Sequence, residues 1–353
     1  MTSSRATLVQ VAERAGVSLA STSRALHGSG ASAAMVERVR AAADELGYSP
    51  DAVGRSLRMK RTFQIAFAAA DIGGPAHVEM MTAIHGELAP HGYRVVVLAT
   101  GDTAASTADL VHSLNSGFAD GMVLVPPRTD DLLADSLRRR DAPVVVVGRA
   151  SGDHGADSVS TDSAAGIGRA VRHLRETGRR RIGFLGGPAD SVPGEERRRG
   201  FDAATAGGGG PPAVAEAAAE FTVAAGEVAA RRLLDRAAAD GGPLDAVVAA
   251  DDLLAIAVLR AARERGLSVP GDLAVTGVGD TELGRIFQPS LTSVSLGWAE
   301  CGRSAARIML DLVRGRGEGA RRVRVEPRLI VRESTGGAAP GAAGDPAADT
   351  PEP

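Results

Sequence analysis

The sequence predicts an α/β protein in which a small all-α headpiece precedes a larger body of two lobes, each built on a doubly wound parallel sheet. Three observations support this fold class. Short helical segments with capping residues fill the first 50 residues. From residue 64 onward, apolar runs of strand length alternate with amphipathic helical segments, the pattern of a parallel sheet covered by helices. The chain has 353 residues, more than one hydrophobic core usually holds, so more than one domain is expected.

The composition narrows the classes of protein that the chain can belong to. Apolar residues make up 44% and aromatic residues 3%, so the core must be built from Val, Leu, Ile and Ala. One cysteine, Cys301, excludes an intramolecular disulfide framework and a cysteine-rich zinc site. No apolar run approaches the roughly 18 residues of a membrane span, and the first residues lack the apolar stretch of a secretion signal. A cytoplasmic protein without a membrane partner is expected.

The first motif is a pair of short helices joined by a tight turn. Thr7 and Gln10 have the spacing of a capping box, which predicts a helix that begins at the residue after Thr7. Gly16 supplies a left-handed stop and Ser18 is a good N-cap for a second helix over 19–26. A helix, a short turn with glycine and a polar helix form the helix-turn-helix pattern, whose second helix lies in the major groove of DNA. The alternative is an ordinary αα-hairpin in a small core.

The charge distribution agrees with a headpiece that meets nucleic acid. Residues 1–61 hold nine Lys and Arg against five Asp and Glu, a balance of +4, which leaves −7 for the rest of a chain of net charge −3. Ser32 can cap a third helix that ends at Gly47, and a short helix over 52–59 runs into a basic cluster. We therefore expect a DNA-binding headpiece over 1–50 and a hinge helix or linker over 51–61.

The body is expected over 62–334. Its apolar runs are continuous rather than alternating, which is typical of strands buried on both faces of a parallel sheet. Seven or more such units exceed one small sheet, so two lobes facing a cleft are predicted. The runs are QIAFAAA, RVVVLAT, GMVLVP, PVVVVG, RIGFLGG, DAVVAAD and LAVTGVG. Residues 335–353 are rich in Gly, Pro and Ala without apolar periodicity, and they are predicted to be a disordered tail.

Several segments together resemble the lactose-repressor and purine-repressor (LacI/GalR) family of bacterial transcription regulators. They fall in the order and spacing of that family and span 5–334. The segments are TLVQVAERAGVS, SRAL, ERVRAAADELGYSPD, RSLRMKRT, HLRETGRRRIGFLGGP, ERRRGF, FTVAAGEVAARRLL and LAVTGVGD. The resemblance implies a helix-turn-helix headpiece on a body like that of the periplasmic binding proteins. It also implies a homodimer that binds operator DNA under the control of a small-molecule effector.

The resemblance implies which residues contact DNA. Leu19 and Ala20 match the positions that choose the bases, and Arg24 can donate two hydrogen bonds to guanine. Leu57 matches the apolar wedge that hinge helices insert into the minor groove; alternatively it packs the hinge on the body. The full set of matching positions is Thr7, Ser18, Leu19, Ala20, Ser21, Ser23, Arg24, Ser32, Tyr48, Arg55 and Leu57.

The resemblance also implies an effector site in the cleft, with departures from the family pattern. The matching positions are His77, Asp162, Arg197, Phe221 and Asp251. Arg197 matches the arginine that grips effector hydroxyls or carboxylates. Asp251 replaces the usual Asn, while Gly279 and Leu296 stand where Asp and Gln are common. The family implies a sugar or related metabolite, whereas these departures indicate a less hydroxylated molecule, a cation, or a site that no longer binds an effector. Asp162 and Asp251 could instead only cap the helices that follow them.

No cofactor, metal or catalytic residue is expected. The segment AAGIGRAV lacks the third glycine of a nucleotide-binding loop, so Gly166 and Gly168 more simply allow close helix packing. The seven histidines show no metal spacing, and no nucleophile elbow occurs. A solute-binding protein and a sugar-converting enzyme on the same body fold are the alternatives to a regulator. A dimer rather than a tetramer is expected, because the tail has no leucine heptads.

Overall fold

The computed structural model describes residues 6–26, 31–48, 59, 61–148, 154–206, 213–317 and 319–337. The chain forms two compact units, one up to Phe63 and one from Gln64 onward. Among the described residues, no helix combines the length and the apolar character needed to cross a membrane.

The first unit contains three helices with the bounds that their caps predict. They are α1 (Leu8–Ala15), α2 (Leu19–Leu26) and α3 (Ala33–Glu45). The capping box of Thr7 and Gln10 is formed, and Gly16 ends α1 with a φ of 65°. The helices enclose a small core of Val11, Ala15, Ala25, Val39, Ala42 and Ala43. The predicted hinge helix, including Arg55 and Leu57, lies outside the described residues except for Met59.

The first lobe of the second unit is a six-stranded sheet in the order β11-β5-β4-β3-β1-β2, with every pair parallel. Its strands are β1 (Gln64–Ala69), β2 (Arg94–Ala99), β3 (Gly121–Val125), β4 (Val144–Val147), β5 (Asp157–Thr161) and β11 (Arg322–Val325). Its helices are α4 (Pro75–Leu88), α5 (Ala104–Ser113), α6 (Asp131–Arg138) and α12 (Trp298–Val313), with 3-10 turns at Ala89–His91 and Leu114–Ser116.

The second lobe is a six-stranded sheet in the order β12-β10-β9-β8-β6-β7. Its strands are β6 (Ile182–Gly186), β7 (Ala215–Ala217), β8 (Ala246–Ala249), β9 (Ala274–Val278), β10 (Thr292–Ser295) and β12 (Arg328–Ile330). Its helices are α7 (Ser163–Glu176), α8 (Val192–Thr205), α9 (Val223–Ala239), α10 (Asp252–Glu264) and α11 (Glu282–Ile286), with a 3-10 turn at Glu333–Thr335.

The chain passes between the lobes at three places. It does so after β5, after β10 and after β11, so each lobe is assembled from separate stretches of sequence. The crossings leave strands at the β5/β11 side of the first sheet and meet the β10/β12 side of the second. Short crossing segments of this kind are where a hinge between two lobes is expected.

Four features of the body differ from the prediction. The run RVVVLAT forms edge strand β2 and is not buried on both faces, because β1 is its one neighbour; Val97 is 38% exposed. Strand β12 runs antiparallel to β10, since it follows a crossing between lobes rather than a helical connection. The short strands β7, β10, β11 and β12 were not predicted as elements.

The predicted tail starts too early, because Thr335 is buried in a 3-10 turn. Residues 338–353 lie outside the described part of the chain.

Candidate functional site

Helix α2 presents a polar face to the outside of the headpiece. Ser18, Leu19, Ala20 and Arg24 are exposed, with Leu19 at 49%, while Ser21 and Ser23 are half-buried. The opposite side of the helix packs into the headpiece core. An exposed face of hydroxyl, small apolar and guanidinium groups over a packed core has the chemistry of a base-reading helix.

Hydrogen bonds join the side chains of this face. The Ser18 hydroxyl caps α2 by accepting from the backbone N–H of Ser21 at 3.2 Å, and it donates to the Ser21 hydroxyl at 2.9 Å. Nη2 of Arg24 donates to Oγ of Ser21 at 3.4 Å. The contact is long and exposed, so Arg24 keeps most of its donors available for a ligand.

Thr22 lies on the buried side of the same helix. Its side chain has no exposed surface, and its hydroxyl donates to the backbone carbonyl of Ser18 at 3.0 Å. The hydroxyl is therefore satisfied within the helix, so its burial leaves no unpaired polar group.

Three further predicted DNA contacts, Thr7, Ser32 and Tyr48, lie at two helix starts and against the headpiece core. Oγ1 of Thr7 accepts from the N–H of Gln10 at 3.4 Å, and Oγ of Ser32 accepts from the N–H of Met35 at 3.4 Å. Helix N-termini carry free N–H groups and attract anions. Tyr48 is half-buried and packs against the headpiece core.

In the second lobe, the Arg197 side chain lies beside the carboxyl end of strand β8. It lies on α8, is 7% exposed, and its Nη1 donates to the carbonyl of Ala250 at 2.8 Å. Its Nε is buried without a hydrogen-bond partner. Burial lowers the pKa of the guanidinium from its ordinary value, although arginine stays charged in proteins. The side chain therefore has an unused donor fixed in place.

Two glycines create the room for this arrangement. The Phe221 ring lies against Gly187, where a Cβ would come within 2.2 Å of the ring, and its centroid is 5.7 Å from Cζ of Arg197. At Gly200, a Cβ would come within 2.6 Å of the Ala164 backbone, so glycine allows α8 to approach the start of α7. Arg197 and Phe221 thus form a cation over an aromatic ring.

Asp251 completes this cluster at the end of β8. Its Oδ1 accepts from the N–H of Leu254 at 2.7 Å and caps α10. Burial raises the pKa of Asp251 to about 6, against the opposing effects of the Leu254 hydrogen bond and the nearby Arg197. The carboxylate therefore caps α10 and lies close enough to Arg197 to interact with its charge.

The other two predicted effector residues lie apart from this cluster. Asp162 caps α7 through the Ala165 N–H at 2.8 Å, and its second oxygen is paired with Arg324. His77 lies in the first lobe, where its Nδ1 is 2.5 Å from the Asp71 carbonyl oxygen, an arrangement in which Nδ1–H donates. Burial lowers the pKa of His77, which favours the neutral ring with Nε2 as an acceptor.

Three residues near the cleft were missed by sequence reasoning. Asp252 is 1% exposed and accepts from the Ser293 hydroxyl at 2.6 Å and the Thr281 N–H at 2.7 Å. Its position after Asp251 was a usable signal, because two acidic residues at a helix start seldom both serve as caps. Arg128 and Asp190 form an ion pair between the lobes at 2.6 Å, and they stand too far apart in sequence for any pattern to join them.

The missing Asp at position 279 has a backbone reason. Gly279 has a φ of +131°, and a Cβ there would lie 3.4 Å from Oδ2 of Asp252. This conformation disfavours any side chain, so the effector contact that is usual in the family cannot be made from this position.

A cavity of about 530 Å³ lies between the lobes at the mouth of the cleft. Carboxylates and one guanidinium are among the groups that line it. The lining residues are Asp102, Thr103, Ala104, Arg128, Thr129, Asp130, Asp190, Val192 and Glu195. The size is that of a small-molecule pocket. Across the described ranges, no group of three or more His, Cys, Asp or Glu side chains is placed to hold a metal ion.

Comparison with known proteins agrees with this arrangement. Residues 7–51 match the family model of bacterial regulatory proteins of the lacI family, and residues 171–335 match the periplasmic binding protein-like domain. The chain is 34% identical to the transcriptional regulator CelR of Thermobifida fusca over 339 residues, covering 94% of this chain and 98% of CelR. It is 30% identical to the repressor CytR of Escherichia coli K12 over 335 residues, covering 94% and 96% of the two chains.

Solved structures show the same fold. The lac repressor dimer bound to operator and an anti-inducer has a TM-score of 0.83 and 26% identity, covering 94% of this chain and 99% of that one. The CelR–cellobiose complex has a TM-score of 0.68 and 34% identity, covering 94% and 100%. The chain therefore belongs to the LacI family of bacterial transcriptional regulators.

Proposed function

We propose that this regulator is a cytoplasmic repressor without catalytic activity, which binds a near-palindromic operator as a homodimer and is controlled by a sugar or related metabolite in the cleft. The observation that carries the proposal is the exposed face of α2, with Ser18, Leu19, Ala20 and Arg24 outward over a packed core. A dimer with two such helices reads two half-sites one helical turn of DNA apart, or a multiple of it. The related lac repressor is described as a dimer bound to operator.

The division of labour within the headpiece follows from the side chains. Arg24 carries donors that fit O6 and N7 of guanine, and Leu19 offers apolar contact to a thymine methyl group. Thr7 and Ser32 bring two helix N-termini to the backbone, where N–H groups bind phosphate oxygens and fix the register.

The second lobe supplies the chemistry for a polyhydroxylated ligand. Arg197 has an unused buried donor, Phe221 offers an apolar ring face, and Asp251 has a carboxylate that can accept from hydroxyls. The related CelR was solved with cellobiose, which supports a sugar as the effector class. If a ligand changes operator affinity, operator must change ligand affinity by the same factor.

Two substitutions on opposite sides of α2 test DNA binding. Arg24→Ala should weaken binding to the selected operator by about 1–3 kcal/mol, and it should relax the preference at one base pair. Thr22→Val changes a fully buried side chain on the same helix and should leave affinity within about twofold. Operators are selected from genomic fragments with purified protein, and affinity is measured by fluorescence anisotropy at several salt concentrations. Equal effects of both variants, or affinity that does not fall with salt, would contradict the proposal.

Cellobiose is the first probe for the effector arm. Its addition should change the operator affinity of the wild-type chain, and Arg197→Lys should reduce that response because Lys lacks the planar fork. Conversion of the sugar by the purified protein would instead favour an enzyme. Sugar binding with no operator binding at any salt concentration would favour a solute-binding protein.

A further inference from the structure

The two lobes touch each other at the mouth of the cleft. Arg128 follows β3 of the first lobe, and Asp190 follows β6 of the second. Nε and Nη2 of Arg128 donate to Oδ2 of Asp190 at 3.1 and 2.6 Å. Beside this ion pair, the backbone N–H of Val192 donates to the carbonyl of Pro127 at 3.3 Å, again from one lobe to the other.

Arg128 is already oriented by its own lobe. Its Nη1 donates to the backbone carbonyl of Asp102, which follows β2. The side chain is 34% exposed, compared with 68% for Asp190. Because one end of the guanidinium is fixed, less conformational entropy is lost when the other end meets Asp190. The Arg128 guanidinium also holds the pKa of Asp190 below its ordinary value, so the carboxylate stays charged at neutral pH.

The position of this contact gives it leverage over lobe motion. Strand β3 is two strands away from β5, and β6 is three strands away from β10, where the chain crosses between lobes. At about 4.8 Å per strand, the contact lies roughly 10–14 Å from the hinge. An opening rotation of about 10° would therefore part the two sides by about 2 Å, enough to break hydrogen bonds of this length.

We propose that Arg128 and Asp190 form a clasp that holds the two lobes closed when no effector is bound. The clasp spans the cavity at the mouth of the cleft, so a ligand that enters there must displace the ion pair or contact it. Arg128 is thus a positioning residue that sets the balance between open and closed lobes. Its link to operator binding rests on the function proposed above, whereas the clasp itself does not.

The test measures the distance between the lobes directly. Cysteines for spin labels are introduced at exposed positions in each lobe, Ala105→Cys on α5 and Ala203→Cys on α8. The native Cys301 is buried, and burial raises the pKa of its thiol to about 12, so it should not compete for the label. Labelled chain is mixed with excess unlabelled chain, and distances are recorded by pulsed electron paramagnetic resonance without DNA or sugar.

Arg128→Ala and Asp190→Asn should each lower the ratio of closed to open lobes by about two- to fivefold, as expected for a partly exposed ion pair. The double change Arg128→Asp with Asp190→Arg should restore part of the closed population. The control is Arg138→Ala, which removes an ion pair with Asp135 inside helix α6. It should leave the distances unchanged.

Unchanged distances in both single variants, no recovery in the charge swap, or an equal shift in Arg138→Ala would overturn the clasp. The operator affinity of the wild-type chain is measured in parallel. If the distance measurements contradict the clasp while the wild-type chain binds operator, this inference alone is refuted. If the distance measurements support the clasp while the wild-type chain does not bind operator, the proposed function alone is refuted.

Discussion

Replacing Asp251 by Asn should stabilise the body of the protein. Asn caps helices as well as Asp does, so the hydrogen bond to the Leu254 N–H can be kept. What the substitution removes is a carboxylate that burial penalises, since the pKa of Asp251 is raised from its ordinary value of 3.8 to about 6. Asn is also the residue that the family usually has at this position.

The size of the effect follows from the pKa. A pKa difference of one unit between the folded and unfolded states corresponds to about 1.4 kcal/mol. The upper bound on the stabilisation by Asp251→Asn is therefore about 3 kcal/mol. Asp251 keeps some exposure, and we expect a gain of about 1–2 kcal/mol at pH 7.5. The penalty is fully present above pH 6 and is lost as the pH falls toward 3.8, because the folded state then binds a proton more readily than the unfolded state does. The advantage of Asn should therefore vanish near pH 4.

Urea unfolding at several pH values between 4 and 8 measures this difference. Asp162→Asn is the matched control, since Asp162 caps α7 in the same way but is paired with Arg324. That variant should not stabilise. A gain from Asp251→Asn that is the same at every pH, or a loss at pH 7.5, would refute the assignment of burial as the cause.

Two further predictions concern packing and a second ion pair. Gly200→Ala should destabilise the body by about 2 kcal/mol, because its Cβ would lie 2.6 Å from the Ala164 backbone, whereas Gly168→Ala, with nothing within 4 Å, should stabilise it by about 0.5 kcal/mol. Urea unfolding of the pair decides this, and equal effects would show that helix propensity rather than close approach controls Gly200. Arg332→Met should cost about 2–4 kcal/mol, since Arg332 and Asp280 are 10% and 12% exposed and 2.5 Å apart. If the free energy of unfolding falls by less than about 1 kcal/mol in the same assay, the charge of the Asp280 carboxylate does not depend on Arg332 for its compensation.

The elements that local signals control could be predicted from the sequence. The caps at Thr7, Gly16, Ser18 and Ser32 set the ends of the headpiece helices where they were expected. The buried strands were predicted because a short continuous apolar run such as PVVVVG is typical of a strand that is buried on both faces of a parallel sheet.

The parts that were missed depend on contacts between distant residues. β11 alternates Arg and Val, as suits a partly exposed edge strand, so a search for continuous apolar runs passed over it.

The candidate effector site was predicted in part. The structure brings Arg197 close to Phe221 and beside the residue that precedes Asp251. For Asp162, the helix-cap alternative is formed, and the second carboxylate oxygen is paired with Arg324; its contact with an effector stays a prediction. Arg128 and Asp190 are 62 positions apart, and no local sequence pattern predicts an ion pair over that separation.

The interleaved construction of the lobes has a consequence for synthesis on the ribosome. Helix α12 and strand β11 complete the first lobe, and β12 completes the second, yet all three come from the last part of the described chain. At Gly302, α12 approaches α4 so closely that a Cβ would lie 2.5 Å from the Met80 carbonyl oxygen. A nascent chain that stops before residue 298 would leave both lobes with open cores while its headpiece is already whole. Premature stop codons in this region should therefore yield fragments that aggregate or are degraded, rather than half-functional regulators.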